Sequence, residues 1–273
     1  MLFWNRKNRE EEKQDEIKKE FNPYGLNDIL FFIKRETGID LLVKKGITEP
    51  KIKLFCERKE IFSFKELYEK IKTDIKLKQE LINLLTVSET YFFREEIQLD
   101  AAVSFIKNRR VKSKILCAPS ASGEEVYSLA IKFDLNGIGD LVDILGVDIN
   151  SDVVEKAKKG VYSKRSVHKL SDELKKRYFT KEGDNFLIRE SRFANVSFRC
   201  ENIFNLNYEL KETFDIIFSR NMLIYFDEET RLKSMEIFSK LLKPHGKLYL
   251  GHADTIPQNR WLERESLCYR LKK

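Results

Sequence analysis

Short apolar runs alternate with amphipathic helical patterns along the chain from about Ser113. The order is a strand in KILCA, a helix in SGEEVYSLAIKFDLN, a strand in DILGVD and a helix in SDVVEKAKKG that ends at Gly160. Further strands are predicted in VSFRCEN, FDIIFSRN and GKLYLGH, with a helix in EETRLKSMEIFSKLLKPHG before the last of them. Such alternation predicts an α/β fold, in which a parallel sheet carries helices on both faces.

The pattern before residue 90 is helical throughout. Apolar residues recur at helical spacing in LNDILFFIKRETGIDLL, where Asn27 is a candidate cap and Gly38 a candidate stop, and again from Ser63 in SFKELYEKIK. A third helix is predicted at about 76–85. Residues 1–20 carry charges of both signs and little apolar content, so we expect a frayed or solvent-exposed helix there. The predicted organisation is a charged segment at 1–20, an all-α domain at 21–90 and an α/β domain at 91–273.

The α/β alternation is interrupted between Val161 and Ala194. A helix is predicted in HKLSDELKKRYF, and the polar stretch that follows it suits a small antiparallel unit. We therefore expect residues 161–194 to form a small subdomain inserted into the α/β domain.

Composition and charge narrow the possible classes of protein. The net charge of +7 would suit an acidic partner, but lysine and glutamate interleave nearly everywhere, as is typical of solvated helix faces. The four cysteines lie far apart with no C-x-x-C pair, so no disulfide framework and no metal site is predicted. No apolar run approaches the roughly 18 residues of a membrane span, and the N-terminus lacks a signal-peptide pattern. We expect a soluble, cytoplasmic protein.

The first strand-to-helix turn of the predicted sheet has the sequence A-P-S-A-S-G-E-E. This turn is the usual place for ligand contact in an open parallel sheet. Its single glycine, Gly123, makes it unlike the G-x-G-x-x-G loop of dinucleotide enzymes, and Glu124 and Glu125 would repel a phosphate. Two carboxylates suit the ammonium group of a phosphate-free cofactor such as S-adenosylmethionine. The alternative is that they only complement the helix dipole, and we favour this alternative for Glu124.

Short polar side chains end three successive predicted strands. Asp148 ends the second strand, near the position, about 20 residues after the first turn, at which an acidic side chain binds a cofactor ribose. An aspartate there could instead cap the next helix, but Asn150 or Ser151 can supply that cap and leave Asp148 free. Asn202 and Asn221 end the third and fourth strands. We expect these side chains to meet at one edge of the sheet.

Five blocks of the chain, between residues 88 and 255, follow the order of the conserved blocks in a known family. They are SETYFFREE, SASGEEVYSLAI, LGVDINSDVVEKAKKGVY, FDIIFSRNMLIYFDEET and LLKPHGKLYLGHADT. From about residue 24 to its end, the chain resembles the chemotaxis receptor methyltransferases, the CheR family. The resemblance implies a Rossmann-like methyltransferase domain with a small all-α N-terminal domain and a small β-subdomain insertion. It also implies S-adenosylmethionine as donor and S-adenosylhomocysteine as product.

The resemblance also implies roles for individual residues. Arg94 and Tyr225 are the implied catalytic residues, with Tyr225 facing the reacting centre. The implied cofactor-binding residues are Ser88, Thr90, Arg94, Glu125, Asp148, Asn202, Ile203, Arg220 and Asn221. Two positions depart from the usual pattern, since Ser88 stands where the family often has asparagine and Pro119 where many members have glycine. Neither departure changes Thr90, Arg94 or the acidic positions, so we expect cofactor binding to survive.

The implied reaction forms methyl esters on glutamate side chains of the cytoplasmic domains of methyl-accepting chemotaxis receptors. A glutamate has a reference pKa of about 4.3, so the substrate is ionised at neutral pH and needs no general base. The histidines agree with this, since His168, His245 and His252 lie outside the TYFFRE, GEE and SRNMLIYF blocks. The planar fork of Arg94 suits the orientation of a carboxylate.

Two other functions are compatible with the sequence. An enzyme acting on a nucleic-acid base would suit the positive charge, but such enzymes usually carry an N-P-P-Y-like stretch where this chain has S-R-N-M. A non-catalytic module that binds S-adenosylmethionine and a signalling partner is the second alternative, and the departures at Ser88 and Pro119 leave it open. Our prediction is a monomeric enzyme that binds receptors, binds no nucleic acid and does not insert into the membrane.

Overall fold

The computed structural model of the protein describes residues 20–189, 193, 195–206 and 212–272. Its α-helices are α1 Leu26–Thr37, α2 Lys45–Arg58, α3 Phe64–Thr73, α4 Ile75–Leu85, α5 Glu96–Arg109, α6 Glu124–Leu135, α7 Ser151–Lys159, α8 Asp172–Tyr178 and α9 Glu228–Leu241. Its strands are β1 Ser113–Cys117, β2 Val142–Asp148, β3 Val161–Ser163, β4 Phe179–Glu182, β5 Asn185–Ile188, β6 Val196–Cys200, β7 Phe214–Ser219, β8 Leu242–Leu250, β9 Leu262–Glu265 and β10 Cys268–Leu271. The predicted helix at 1–20 lies outside the described residues except for Glu20.

The N-terminal part of the described chain is helical, from α1 to α4, and has a core of its own. Gly38 ends α1 in the left-handed conformation, as predicted, with φ of +77°. Ser63 begins α3, where its side chain accepts a hydrogen bond from the amide of Glu66. The prediction of Asn27 as a cap is wrong, because α1 begins directly after Gly25.

Two helices were absent from the sequence prediction. Helix α2 contains Pro50 and has no clear apolar stripe, yet Ile52 and Phe55 are buried in the helical core. Helix α5 also lacks a strong apolar periodicity, and it packs Leu99 and Ile106 into the core beside the sheet. In both cases tertiary packing supplies stability that the local pattern does not reveal.

The central sheet has seven strands in the order β6-β2-β1-β7-β8-β10-β9. The five strands from β6 to β8 are parallel, and β10 pairs antiparallel with β8 and β9. This arrangement confirms the predicted α/β fold, although β9 and β10 were not predicted. From β1 the chain passes to β2 on one side and later returns to β7 on the other. The order therefore reverses between β1 and β7, and a crevice for ligands is expected at their carboxyl ends.

A second, three-stranded sheet lies between α7 and β6 in the sequence. Its order is β3-β5-β4, and both pairings are antiparallel. This sheet confirms the expected small β insertion, while Ala194, its predicted last residue, lies outside the described residues. The domain boundaries at 20, 90 and 161–194 stay predictions.

The helical part is hydrogen-bonded to the loop that follows β2. The Asn83 amide donates to the Ser151 hydroxyl at 2.8 Å, and the Ser151 backbone amide donates to the Asn83 side-chain oxygen at 3.0 Å. Nearby, the Asn150 side chain donates to the Thr86 hydroxyl at 2.7 Å. These bonds hold the end of α4 against the start of α7. In the described part of the chain, no helix is long and apolar enough to cross a membrane.

Gly123 occupies the turn between β1 and α6 for two separate reasons. Its φ of +91° lies in the left-handed region, which disfavours side chains. A Cβ atom there would also lie 2.9 Å from the Ala157 Cβ, 3.0 Å from the Tyr162 hydroxyl and 3.1 Å from the Phe198 ring. The turn thus brings the start of α6 against α7 and the inserted sheet as closely as the atoms allow.

We expect Gly123→Ala to lower the free energy of unfolding more than Gly137→Ala does. Gly137 has φ of +65°, but a Cβ there would meet no atom within 4 Å. Gly137→Ala therefore reports backbone strain alone, about 1–2 kcal/mol. Gly123→Ala adds the steric conflict, for a total of about 2–4 kcal/mol. Urea denaturation followed by circular dichroism measures both variants, and equal losses would contradict the packing argument.

Candidate functional site

A cleft lies at the carboxyl ends of β1, β2 and β7, and the helical part forms one of its sides. It contains about 1380 Å³ of empty space, part of it open to solvent. Its lining includes Ser88, Thr90, Arg94, Glu125, Asp148, Asn202, Ile203, Arg220, Asn221 and Tyr225. The structure thus brings all the predicted site residues together, and their individual roles stay predictions.

A buried ion pair between Glu125 and Arg220 lies in the wall of the cleft. The Arg220 Nε donates to one Glu125 oxygen, and a terminal nitrogen of Arg220 donates to the Arg94 carbonyl at 2.8 Å. The other Glu125 oxygen, Oε1, is buried and has no hydrogen-bond partner within the described residues. A buried acceptor without a donor is costly. This atom therefore fits a donor supplied by a ligand, such as an ammonium group.

Asp148 ends β2 with both carboxylate oxygens already in use. One accepts the Ala121 amide at 2.8 Å and the other accepts the Asn150 amide at 2.9 Å. Asn150 caps α7 as the sequence allowed, so Asp148 is not needed for that cap, although both of its oxygens accept backbone amides. A carboxylate has about four acceptor positions, so two are left for ribose hydroxyls. Burial raises the pKa of Asp148, and the surrounding backbone amides oppose that rise.

Asn202 and Ile203 follow β6 at the other wall of the cleft. The Asn202 side chain accepts the Phe204 amide at 3.0 Å and donates to the Glu36 carbonyl, at the end of α1, at 2.6 Å. It therefore joins the sheet to the helical part as well as lining the cleft. Ile203 is only 7% exposed and gives this wall an apolar surface, which suits a flat aromatic ring such as adenine.

Arg94 is held in the segment between α4 and α5. Its neighbours Phe93 and Glu95 both have positive φ, at +60° and +50°, which is uncommon and costly for residues other than glycine. The Phe93 amide donates to the Ser128 hydroxyl at 3.0 Å, which ties this strained segment to α6. One terminal nitrogen of Arg94 donates to the Glu89 carbonyl at 2.9 Å. A guanidinium has five donors, so others can bind a carboxylate in the cleft.

Tyr225 lies on a 3₁₀ turn, Leu223–Tyr225, after β7 and is half-buried. The Lys44 ammonium lies 4.9 Å from the centre of its ring, in a cation–π contact. Burial raises the pKa of Tyr225, although the nearby Arg94 opposes this. The phenol is therefore protonated at neutral pH and can donate a hydrogen bond.

Residues 88–269 match the family model of the CheR methyltransferase, SAM binding domain. The chain belongs to this family. It is a SAM-dependent methyltransferase, and the unpaired oxygen of Glu125 and the remaining acceptor positions of Asp148 fit that cofactor.

Three curated relatives support the assignment to the CheR family. A chemotaxis protein methyltransferase of Campylobacter jejuni subsp. jejuni is 42% identical over 240 residues, which covers 88% of this chain and 91% of that relative. One of Listeria monocytogenes is 30% identical and covers 84% of this chain and 90% of its own length. One of Escherichia coli is 31% identical and covers 71% of each chain.

In this CheR-family enzyme, the Glu124 side chain makes hydrogen bonds within the protein and does not line the cleft. Its two oxygens accept hydrogen bonds from the Ser122 hydroxyl at 2.7 Å and the Ser166 hydroxyl at 3.0 Å. Burial raises the pKa of Glu124, and the two serine hydroxyls oppose that rise. It links the first turn to the segment after β3, and it is not among the described residues that line the cleft.

The sequence interpretation did not single out several residues that shape the site. Asp40 and Lys44 line the cleft from the helical part. The Asp40 amide donates to the Tyr225 carbonyl at 2.9 Å. No sequence motif marks Asp40 and Lys44 as site residues. They belong to the helical part and reach the cleft only because that part packs against the sheet.

We expect Glu125→Gln to weaken binding of S-adenosylhomocysteine about tenfold to a hundredfold, because it removes the charged acceptor and leaves Arg220 with only the more distant Glu95, at 3.8 Å, as a countercharge. Glu124→Gln is the matched control, and its affinity should stay within about threefold because serine hydroxyls can turn to accept from an amide. Isothermal titration calorimetry measures both affinities without any turnover. Similar losses in the two variants would contradict the separation of roles.

Affinity for S-adenosylhomocysteine should fall as the pH falls through the raised pKa of Asp148. Protonation of this carboxyl removes an acceptor for the ribose hydroxyls, so binding is tighter above the pKa and weaker below it. Asp148→Asn should bind more weakly at neutral pH and lose this part of the pH dependence. Calorimetry across the acid range tests this, and an unchanged pH profile in Asp148→Asn would show that another group is responsible.

Proposed function

We propose that this enzyme transfers a methyl group from S-adenosylmethionine to glutamate side chains on the cytoplasmic domains of methyl-accepting chemotaxis receptors, forming methyl esters. The observation that carries the proposal is the cleft in which Arg94 and Tyr225 lie beside the buried Glu125–Arg220 pair. Family membership supports it, as do relatives named chemotaxis protein methyltransferase.

The cofactor-binding residues hold the donor by charge and hydrogen bonding. When bound, S-adenosylmethionine supplies a methyl group on a positively charged sulfur. Glu125 binds the ammonium group at the amino-acid end, and Asp148 binds the ribose. Ser88, Thr90, Asn202, Ile203 and Asn221 surround the rest of the cofactor, and Arg220 fixes the orientation of Glu125. Methyl transfer then depends mainly on the alignment of the reacting atoms.

Arg94 and Tyr225 act on the glutamate of the receptor. Arg94 orients the carboxylate through its planar fork, and the protonated Tyr225 shares the hydrogen bonding, so that Arg94 does not bind both oxygens too tightly. No general base is needed, because the substrate carboxylate is ionised at neutral pH. His168, His245 and His252 are not among the described residues that line the cleft, which agrees with this chemistry.

We propose that the enzyme acts as a monomer in the cytoplasm and does not bind nucleic acid. The positions where amine-methylating enzymes usually carry N-P-P-Y hold Ser219, Arg220, Asn221 and Met222 here. Arg220 is buried in its pair with Glu125. This end of β7 therefore lacks the acceptor-rich stretch that a base amine requires.

We expect Arg94→Ala to lower ester formation by about a hundredfold or more, because the receptor carboxylate loses its orienting group. The assay incubates the enzyme with labelled S-adenosylmethionine and purified receptor cytoplasmic domains, and counts the label that mild base releases. Arg264→Ala is the control, since Arg264 is exposed on the edge strand β9, and its rate should be unchanged.

Normal turnover by Arg94→Ala would contradict the role given to this residue. Base-stable label from the wild-type enzyme would contradict the formation of an ester. Binding of cofactor without any transfer to receptor would favour the non-catalytic module.

A further inference from the structure

We propose that Asp254 is a positioning residue for methyl transfer, whose buried carboxylate holds the turn that carries Asn221 and Tyr225. The inference rests on the proposed function, because Tyr225 is the catalytic group that it positions. Asp254 lies after β8 and is 9% exposed. It is not among the described residues that line the cleft, so it acts through its neighbours and not on the substrate.

One oxygen of Asp254 joins the ends of two adjacent strands. Oδ2 accepts the backbone amide of Asn221, after β7, and the backbone amide of Gly251, after β8, the latter at 2.9 Å. The Asp254 amide in turn donates to the Gly251 carbonyl at 3.0 Å. A charged acceptor makes stronger hydrogen bonds with amides than a neutral one does. The carboxylate therefore fixes the place where the chain leaves β7.

The backbone at this place is strained and tightly packed. Asn221 has φ of +59°, in the left-handed region. A Cβ on Gly251 would lie 2.8 Å from both the backbone and side-chain nitrogens of Asn221, and 2.9 Å from the Asp254 oxygen. Such a conformation persists only where surrounding contacts hold it, and Asp254 supplies one of them.

Through the Asn221 amide, the same carboxylate holds the chain two residues before the Tyr225 turn begins. Its other oxygen, Oδ1, is buried and has no hydrogen-bond partner among the described residues. Burial raises the pKa of Asp254, and the backbone amides of Asn221, Gly251, Ile224 and Leu223 oppose that rise. From the opposite side the Asp40 amide holds the Tyr225 carbonyl at 2.9 Å. Tyr225 thus sits on a turn whose approach from β7 is held by Asp254 through Asn221, and whose end is bound by the helical part.

A double-mutant cycle with Tyr225→Phe tests this inference through kcat for ester formation at saturating S-adenosylmethionine, where weakened cofactor binding no longer affects the rate. In the wild-type background Asp254→Ala should lower kcat about tenfold to a hundredfold. In the Tyr225→Phe background the same change should cost about threefold or less, because the group being positioned has already been lost.

Asp215→Ala is the matched control for a structural role. Asp215 is a buried aspartate of β7, bound by Arg109, Lys243 and His245 away from the cleft. Its loss should lower stability, and its effect on kcat should be small and the same in both backgrounds. Equal effects of Asp254→Ala in the two backgrounds, or an unchanged kcat, would overturn the inference. If Asp254→Ala does not fold, Asp254→Asn, which keeps an oxygen acceptor, replaces it in the cycle with a smaller expected loss.

Hydrogen exchange measured by mass spectrometry tests the positioning without a substrate. Peptides covering residues 220–226 should exchange faster in Asp254→Ala and not in Asp215→Ala. If the exchange of peptides covering residues 220–226 is unchanged in Asp254→Ala, the inference is overturned, even if the wild-type enzyme forms the ester. If the wild-type enzyme forms no ester, the proposed function is refuted. If the Asp254→Ala variant nevertheless exchanges faster at residues 220–226, the support that Asp254 gives to this segment is still established.

Discussion

The buried ion pair of Glu125 and Arg220 is the interaction on which the rest of the site depends. Two opposite charges are removed from water at the point where the strand order reverses, and such a pair is stable only if its remaining donors and acceptors are satisfied. Arg220 meets this requirement in part through the Arg94 carbonyl. The pair therefore connects the first turn, the end of β7 and the strained segment before α5. The unsatisfied Glu125 oxygen is the acceptor that we propose is paired by the bound cofactor.

The helical part completes the site from outside the sheet. Lys34 bridges Asp40 at 2.8 Å and Asp227 at 2.6 Å, and Asp227 caps α9 directly after the Tyr225 turn. With Lys44 over the Tyr225 ring, these contacts hold the phenol that we propose takes part in the reaction. Transfer of a methyl group to an ionised carboxylate requires alignment more than proton transfer. A cleft formed between two packed cores that are hydrogen-bonded to each other suits that requirement.

Much of the fold could be predicted from local patterns. The parallel strands β1, β2 and β7 each contain a short apolar run, and the ends of α1, α3 and α7 carry the expected Gly38, Ser63 and Gly160. Local patterns did not predict helices α2 and α5 or the antiparallel pair β9–β10. Their apolar residues follow no regular period, and these elements gain stability only from contacts distant in sequence. The cap assigned to Asn27 failed for a related reason, since Gly25 packs against the Lys65 backbone and α1 begins two residues earlier than that cap implies.

By itself, the sequence determined the α/β alternation and the chemical types gathered at one sheet edge, since strand ends and turns are local features and parallel strands share a direction. It also contained the ordered blocks through which the family is recognised. Only the tertiary structure decided how these groups are used. Arg220 pairs with Glu125, and both oxygens of Asp148 accept backbone amides. The Asn202 side chain donates to a carbonyl at the end of α1, and Asp254, after β8, accepts the amide of Asn221, after β7. Hydrogen bonds between residues far apart in the chain depend on packing, which no local pattern specifies.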